Sequence, residues 1–464
     1  MNVFMTIFLA INWSSVGLQV SQLLLSLSIL VILHEFGHYI TAKWFKCRVE
    51  KFYLFFDPWF SIFKKKVGDT EYGIGWLPLG GYVKIAGMID ESMDKEQMKQ
   101  PPQSWEFRSK PAWQRLIIMI GGVTVNVILA ILIYSMIMMV WGEKKIPANS
   151  LTYGVAFNDP LFRELGFENG DKVLSVDGKP VELYGDILKK VLLVDSVVTV
   201  ERAGKQMELS MPIDVIGKLI EKKKKSDGPL ISPRMPVWVM EVDDTCDVHK
   251  AGLLKGDQII MMDGKPTEYY DQYMEVVSAK RRGDSVRLMV RRGGKELAIS
   301  SVMADDKRLG FYAPNTPDLY DSLGICKFEV TRYNALTAIP AGLRRTGQEL
   351  GFYVDQLKKI FSPSTGAYKG VGGFKAMGSV FSGSHWDWEH FWSITALFSI
   401  ILAFMNLLPI PALDGGHVLF TLGEMITGRK PSEKFLEYAQ IVGMILLLAL
   451  MLYANGNDWF GWGR

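Results

Sequence analysis

The chain has 464 residues, of which 48% are hydrophobic and 22% charged, and its formal net charge is +3. Because so many charged residues accompany the apolar ones, the apolar residues must be concentrated in segments, which is typical of a membrane protein that also carries water-exposed modules. The three cysteines form no CxxC pair, which excludes a disulfide framework, and a nucleic-acid-binding surface is not expected.

Four apolar stretches predict about four transmembrane helices. Residues 1–33 carry no charge, and the stretch from about residue 16 to 43 is long enough to cross a bilayer. Residues 116–141 also carry no charge. A third stretch runs, with a break, from residue 391 to about 426, and a shorter one covers residues 438–453. Since the N-terminal segment has no basic residue, we expect no cleaved signal peptide.

The first apolar stretch contains the sequence His-Glu-Phe-Gly-His at positions 34–38. On a helix, His34 and His38 project from the same face one turn apart, the spacing that two imidazoles need to share one metal ion. Glu35 is placed to take a proton from a water molecule at that metal. Such a short pattern also occurs by chance on soluble helices. Inside a membrane span, however, three ionisable groups are costly unless they pair, bind an ion or line a wet cavity. The stretch therefore predicts a metal-dependent hydrolase with its site in the membrane.

Basic residues predict the orientation of the spans. They cluster in the loop between the first two spans and in the turn between the last two, at Lys46, Arg48, Lys51, Lys64, Lys65, Lys66, Arg429, Lys430 and Lys434. Cytoplasmic loops are the ones enriched in lysine and arginine. We therefore expect both termini and the large middle region to lie outside the cytoplasm.

The middle region contains an internal repeat, since residues 170–180 recur in the same register at 256–266. Each copy predicts a strand closed by an Asp-Gly turn, then a helix, then a strand pair around a basic turn. The pattern resembles the PDZ domain, in which a groove accepts an extended peptide by adding a strand. Peptide binding and a spacer or steric-filter role remain equally open. The charged stretch between the copies predicts a solvated linker.

The third apolar stretch is interrupted at membrane depth by Pro409, Pro411, Asp414 and two glycines. The prolines break the helix, and irregular backbone at this depth must face protein or water. Asp414 is then the favoured third metal ligand beside His34 and His38, which leaves one position for water, as in catalytic zinc sites. His417 is the competing candidate.

These motifs, in this order, resemble the site-2 protease family of intramembrane zinc metalloproteases, in its bacterial form with two PDZ domains. The resemblance extends to Pro-Leu-Gly-Gly-Tyr-Val-Lys at 78–84 and Trp-Gln-Arg at 113–115. It implies one zinc ion per chain bound by the aspartate of the Leu-Asp-Gly motif, a β-hairpin that dips into the membrane, and Asn406 holding the substrate backbone. Two departures concern local helix geometry, because residues 121–126 and 371–373 lack the proline that family members commonly carry.

In the family, the substrate is a transmembrane protein, and the resemblance suggests an anti-sigma factor already trimmed on its outer side. A helical substrate must unwind to expose its peptide bonds, and the hairpin at 75–83 could capture the unwound strand by edge pairing. Gly75, Gly80, Gly81 and Tyr82 are the expected contact residues, since glycines allow close approach. An ordinary cytoplasmic hairpin turn is the alternative.

The predicted fold is therefore a multi-span α-helical membrane protein with two tandem α+β PDZ-like domains and a membrane-associated β-hairpin. In chain order we expect an N-terminal segment and first transmembrane helix (1–43), a cytoplasmic loop with the re-entrant β-hairpin (44–113), a second transmembrane helix (114–142), a first PDZ-like domain (143–215), a charged linker (216–235), a second PDZ-like domain (236–306), a linker with an amphipathic helix that starts at Pro340 (307–387), a third transmembrane segment (388–428) and a fourth transmembrane helix (434–455).

The predicted function is intramembrane zinc endopeptidase in a bacterial inner membrane, with membrane lipid around the spans and its site towards the cytoplasmic side. An intramembrane metal transporter or sensor and a non-catalytic PDZ scaffold are the alternatives. The transporter would not require Glu35 beside His34, and the scaffold would tolerate the loss of Glu35.

Overall fold

The computed structural model of the chain describes residues 12–88, 101–192, 195–222, 229–304, 308–314 and 317–463. Two compact units are present. Unit 1 consists of Met1–Gly142, Arg332–Phe361 and Tyr368–Arg464, and unit 2 consists of Glu143–Thr331 and Ser362–Ala367. Residues 1–11 of the predicted N-terminal segment and 223–228 of the predicted charged linker lie outside the described residues.

The α-helices of the described residues are, in chain order, α1 (Trp13–Trp44), α2 (Ala112–Val140), α3 (Pro160–Glu164), α4 (Tyr184–Val191), α5 (Val215–Lys222), α6 (Asp247–Lys250), α7 (Tyr270–Val277), α8 (Pro317–Ser322), α9 (Ala335–Ile360), α10 (Phe374–Ser379), α11 (Trp388–Leu407), α12 (Asp414–Thr427) and α13 (Glu433–Phe460). The strands are β1 (Val49–Val67), β2 (Thr70–Ile85), β3 (Glu143–Lys145), β4 (Val155–Phe157), β5 (Lys172–Val176), β6 (Lys179–Pro180), β7 (Ser196–Arg202), β8 (Lys205–Met211), β9 (Ile231–Pro233), β10 (Val237–Trp238), β11 (Glu241–Val242), β12 (Gln258–Met262), β13 (Lys265–Pro266), β14 (Ser285–Arg292), β15 (Lys295–Val302), β16 (Phe311–Tyr312) and β17 (Glu329–Thr331).

Within the described residues, four helices of unit 1 are long and apolar enough to cross a membrane, namely α1, α2, α11 and α13. The protein is thus an integral membrane protein with the expected number of candidate spans. The third predicted segment is divided, because α11 ends at Leu407 and α12 begins only at Asp414. Its second half is a separate short helix, and the span proper is α11.

Helix α2 is the central element of unit 1, since α1, α9, α11 and α12 all pack against it. Glycines bring α1 and α2 into backbone contact: a methyl group on Gly121 would lie 2.6 Å from the Gly37 carbonyl oxygen. Membrane helices associate through such small residues because lipid provides no hydrophobic drive for helix pairing. The close approach allows α2 to reach the histidines of α1.

The amphipathic helix α9 begins at Ala335, so the expected start at Pro340 is wrong. Asn334 caps the helix, because its side chain accepts hydrogen bonds from the backbone N–H groups of Leu336 and Thr337, and Pro340 lies within the helix. The small residues Ala338, Ala341 and Gly342 are buried, and Gly342 lies directly against Ser135 of α2.

Strands β1 and β2 form a folded antiparallel sheet rather than a simple hairpin. Phe52 of β1 lies opposite both Tyr72 and Val83, so the first part of β1 runs between the two halves of β2. The second part of β1 pairs with the first half of β2, up to Val67 opposite Thr70. Residues 75–80, expected near a hairpin turn, carry the chain across from one half of β2 to the other.

Unit 2 contains two copies of one strand arrangement. In the first copy the order is β6-β5-β7-β8, and in the second β13-β12-β14-β15, where β10 also pairs with β12. The register shift between Val173 and Ser175 recurs between Ile259 and Met261. Both Asp-Gly turns have positive φ at each residue, as two-residue hairpin turns require. The repeat read from the sequence thus corresponds to two similar folding units, each with its own apolar core.

Each copy also buries one aspartate against one arginine. Arg202 donates two hydrogen bonds of 2.7 Å to Asp171, and Arg292 makes the same pair of bonds to Asp257. Both aspartates are fully buried, and each arginine bonds in addition to a glycine carbonyl. The bidentate pairs supply the counter-charge that a buried carboxylate needs.

Replacing Arg292 with alanine should destabilise the second copy, because Asp257 would remain buried without its cation. We expect the free energy of unfolding to fall by about 2 to 3 kcal/mol. The adjacent Arg291, whose ion pair with Glu296 is 3.6 Å long and exposed, is the matched control. Arg291→Ala should cost less than about 1 kcal/mol. Urea-dependent proteolysis of the full chain measures both variants, and equal losses would contradict the assignment.

Candidate active site

Three side chains from two elements of unit 1 converge on one point. His34 and His38 come from α1, and Asp414 is the first residue of α12. The Nε2 atoms of the two histidines are 3.2 Å apart, and each is 3.2 Å from Oδ2 of Asp414. Among the described residues, His34, His38 and Asp414 form the one group of metal-ligating side chains whose ligand atoms lie close together. His417, the competing candidate, does not belong to this group.

The three atoms fit a tetrahedral metal ion. Zinc bonds to nitrogen and oxygen are about 2.0 to 2.1 Å long, so two ligand atoms of a tetrahedral site lie about 3.3 Å apart. The observed separations of 3.2 Å are close to that value. Asp414 Oδ2 is also buried without a hydrogen-bond partner among the described residues, which a bound cation would correct. Two imidazoles and one carboxylate thus form a donor set suited to zinc with an open fourth position.

The two histidine rings are held by α2. His38 Nδ1 lies 2.8 Å from the backbone oxygen of Ile118, and His34 Nδ1 lies 3.2 Å from the side-chain nitrogen Nδ2 of Asn126. Between these residues, α2 presents Gly122 to the rings, and a methyl group there would lie 2.6 Å from His34 Cε1 and too close to His38 Nε2. Glycine is therefore required for the rings to fit.

The position of Asp414 depends on the irregular backbone before it. Ala412 adopts φ of +81°, a strained value for a residue with a side chain, and its N–H donates to Gln440 Oε1 at 3.2 Å. Gly443, one turn further along α13, lies in direct contact with the Pro411 carbonyl group. Helix α13 thus accepts the hydrogen bond of the Ala412 N–H group and positions the loop that carries the third candidate ligand.

Glu35 and the second half of β2 border the same cavity, which has a volume of about 710 Å³. Val83 lines the cavity beside Glu35, and a methyl group on Gly81 would lie 3.5 Å from Glu35 Cγ. The candidate base, the three candidate ligands and the second half of β2 therefore line one cavity.

The predicted substrate residues are only partly brought to this cavity. Gly81 and Tyr82 line it, and Asn406 Nδ2 lies 3.2 Å from His34 Nε2. Gly75 and Gly80 instead lie against Phe56 of β1, where the chain crosses between the halves of β2. A methyl group on Gly75 would collide with the Phe56 backbone, and one on Gly80 would lie 3.1 Å from the Phe56 ring. Tyr82 donates a 2.8 Å hydrogen bond to Asp57, and burial together with this bond raises the pKa of the Tyr82 phenol, so Tyr82 stays protonated.

Sequence reasoning missed Gln440 and Gly122, and it noted Asn126 only as part of a motif. The signal for the amides was present, since a polar side chain inside an apolar span is rarely without a role. Nothing in the sequence indicated that Gly122 would face both histidines, because that contact depends on how α1 and α2 pack.

A candidate metal site with a neighbouring carboxylate, among candidate membrane spans, is typical of a membrane-embedded metallopeptidase. The chain belongs to peptidase family M50, whose profile matches residues 22–450, and it is therefore a zinc metalloprotease. Its similarity extends over nearly the full length of several relatives. The regulator of sigma-E protease RseP of Escherichia coli K12 is 28% identical over 94% of this chain and 97% of its own length.

Two further relatives have comparable similarity. The regulator of sigma E protease of Salmonella typhi is 27% identical over 97% of this chain and 99% of its own length. A Vibrio cholerae protein provisionally named a zinc metalloprotease is 26% identical over 94% and 97%. Among solved structures, the PDZ domain of an SdrC-like protein from Listeria innocua is 20% identical and covers 18% of this chain and 97% of its own. Its TM-score of 0.16 is too low to support a conclusion about fold.

Replacing Gly122 with alanine should prevent metal binding, because the added methyl group would occupy the space into which the histidine nitrogens point. We expect the zinc affinity of the purified protein to fall at least tenfold, the size of effect seen when ligand orientation is disturbed. Gly17→Ala on α1, where nothing lies within 4 Å of the added methyl group, is the control. Chelator competition measures both, and an unchanged affinity in Gly122→Ala would contradict the geometry.

Proposed function

We propose that this protein is an intramembrane zinc endopeptidase that cleaves the transmembrane segments of single-span membrane proteins. In this proposal His34, His38 and Asp414 bind the zinc, and Glu35 is the general base. The observation that carries the proposal is the convergence of the three ligand atoms, at separations of 3.2 Å, in a cavity that also contains Glu35. Two of the ligands and Glu35 belong to a candidate membrane span.

The chemistry divides between the metal and the side chains. When bound, zinc supplies Lewis-acid activation of water and of the peptide carbonyl. Glu35 takes the proton of the attacking water and returns it to the leaving nitrogen of the cleaved peptide bond. Asn406, whose amide nitrogen lies 3.2 Å from His34 Nε2, donates a hydrogen bond to the carbonyl oxygen as negative charge develops there.

The second half of β2 is the proposed binding strand for the unwound substrate. Gly81, Tyr82 and Val83 line the cavity together with Glu35, so a strand paired along this segment would lie beside the base. Gly75 and Gly80 would act indirectly, by allowing the crossover that places the strand. The exposed Trp59 and Phe60 of β1 support insertion of this sheet into the lipid interface.

The proposed orientation places both termini and unit 2 outside the cytoplasm of a bacterial inner membrane, and the site towards the cytoplasm. The basic residues of the first loop and the last turn support this orientation. The relatives in Escherichia coli and Salmonella typhi are named regulators of sigma-E. We therefore propose an anti-sigma factor, already trimmed on its outer side, as the substrate. The two repeats of unit 2 would bind its peptide or exclude untrimmed proteins.

Glu35→Gln should abolish cleavage and leave zinc in place, because the amide keeps the size of the side chain but cannot accept the proton. General acid–base groups contribute about 10² to 10⁴ in rate. The assay is cleavage of a single-span reporter in reconstituted vesicles together with zinc content. Glu50→Gln, a carboxylate of β1 paired with Lys84, is the control. Unchanged cleavage by Glu35→Gln would overturn the protease mechanism and favour a transporter or scaffold.

Asn406→Ala should slow cleavage and leave zinc affinity unchanged, because the lone pair of His34 Nε2 would bind zinc, which leaves the neighbouring Asn406 amide to donate to the substrate carbonyl. Removal of one such donor typically lowers kcat by about 10² to 10³. Single-turnover cleavage and chelator competition separate the two properties. A loss of zinc in parallel with activity would show instead that Asn406 supports His34.

A further inference from the structure

A completely buried amide on α2 touches a candidate zinc ligand. Asn126 has no exposed surface, and its side-chain nitrogen lies 3.2 Å from Nδ1 of His34. Its side-chain oxygen is also buried and has no hydrogen-bond partner among the described residues. A buried amide oxygen without a donor costs free energy, so this arrangement calls for an explanation.

The position of the proton on the His34 ring provides an explanation for the unpaired oxygen of Asn126. With the amide nitrogen donating to Nδ1, the imidazole would carry its proton on Nε2, the atom that faces His38 and Asp414. A protonated Nε2 cannot bind a metal. A half-turn of the Asn126 amide exchanges its donor for its acceptor, so that Nδ1–H of His34 donates to the side-chain oxygen. Nε2 then presents its lone pair to the metal.

The neighbouring histidine is held in that way. His38 Nδ1 lies 2.8 Å from the backbone oxygen of Ile118, an acceptor, which leaves His38 Nε2 unprotonated. Ile118 and Asn126 are eight residues apart on α2, which is close to two helical turns, so they lie on one face. One helix therefore places a polar group beside the Nδ1 atom of each ring, and Gly122 lies between them.

The backbone of Asn126 is held by a third helix, α11. Ser399 of α11 donates a 2.8 Å hydrogen bond to the Asn126 carbonyl oxygen, and Ser399 is itself fully buried. Such a bond restrains a residue inside an apolar helix pair, where few polar partners exist.

We propose that Asn126 is the positioning residue of the metal site, and that its side-chain oxygen accepts the Nδ1 proton of His34 and so sets the metal-binding tautomer. The inference rests on the proposed function, in which His34 binds zinc. Asn126 itself does not touch metal or substrate.

The test is zinc affinity, measured by chelator competition on the purified full chain, in wild type, Asn126→Ala and Asn126→Asp. Loss of an outer-shell acceptor typically weakens metal binding 10- to 100-fold, which is the loss expected for Asn126→Ala. Asn126→Asp keeps an acceptor oxygen, and a half-turn of its carboxylate cannot replace that oxygen with a donor. The zinc affinity of this variant should stay within about threefold of wild type, a smaller loss than the tenfold minimum expected for Asn126→Ala. Thr124→Ala, whose hydroxyl bonds only within α2 to the Ile120 carbonyl oxygen, is the control.

A second readout does not involve the metal. In the metal-free protein, ¹⁵N chemical shifts of labelled histidine should report a proton on Nδ1 of His34 in wild type and in Asn126→Asp, and a mixture of tautomers in Asn126→Ala. Wild-type affinity in Asn126→Ala, or equal losses in the alanine and aspartate variants, would overturn the positioning role. His34→Ala separates this failure from failure of the site itself, because only an incorrect metal site would leave zinc bound in that variant.

Discussion

The structure of unit 1 is organised around three lone-pair atoms that must approach one another within an apolar setting. Two imidazole nitrogens and a carboxylate oxygen, mutually 3.2 Å apart, attract one another only when a proton or a metal ion lies between them. Their positions require a helix break before Asp414 and a close approach of α2 to α1. The glycines, the strained Ala412 and the polar residues of the spans all follow from that requirement.

Contacts to the backbone hold the loop that carries Asp414 and the helix that carries the histidines. The loop before Asp414 directly follows the candidate span α11. An unsatisfied N–H group in an apolar setting is costly, and Gln440 of α13 accepts the N–H of Ala412. Gly443 brings α13 into contact with the same loop, and Gly37 and Gly121 bring α1 against α2. Each glycine removes a side chain where a backbone must pass, so the site is held by contacts between main chains.

Much of this architecture can be predicted from the sequence, because it is encoded in local patterns. Apolar length identifies the spans, the spacing of His34 and His38 identifies a shared helix face, and two prolines before Asp414 identify the break. The contacts across elements could not be predicted in the same way. That Gly122 faces both rings, that Gln440 supports Ala412, and that β1 runs between the halves of β2 depend on packing between distant segments, which no local pattern records.

Asp171 and Asp257 of unit 2 differ from Asp414 of unit 1 in how their charge is balanced. Asp171 and Asp257 in unit 2 are each neutralised by a bidentate arginine, so their charge is balanced by the chain itself. Asp414 in unit 1 faces two imidazoles, and no lysine or arginine of the described residues forms an ion pair with it. A carboxylate whose Oδ2 atom is buried without a cation from the chain can be balanced by a bound metal ion. The chain thus provides an arginine for each of Asp171 and Asp257, and it leaves the charge of Asp414 to be balanced by a metal ion.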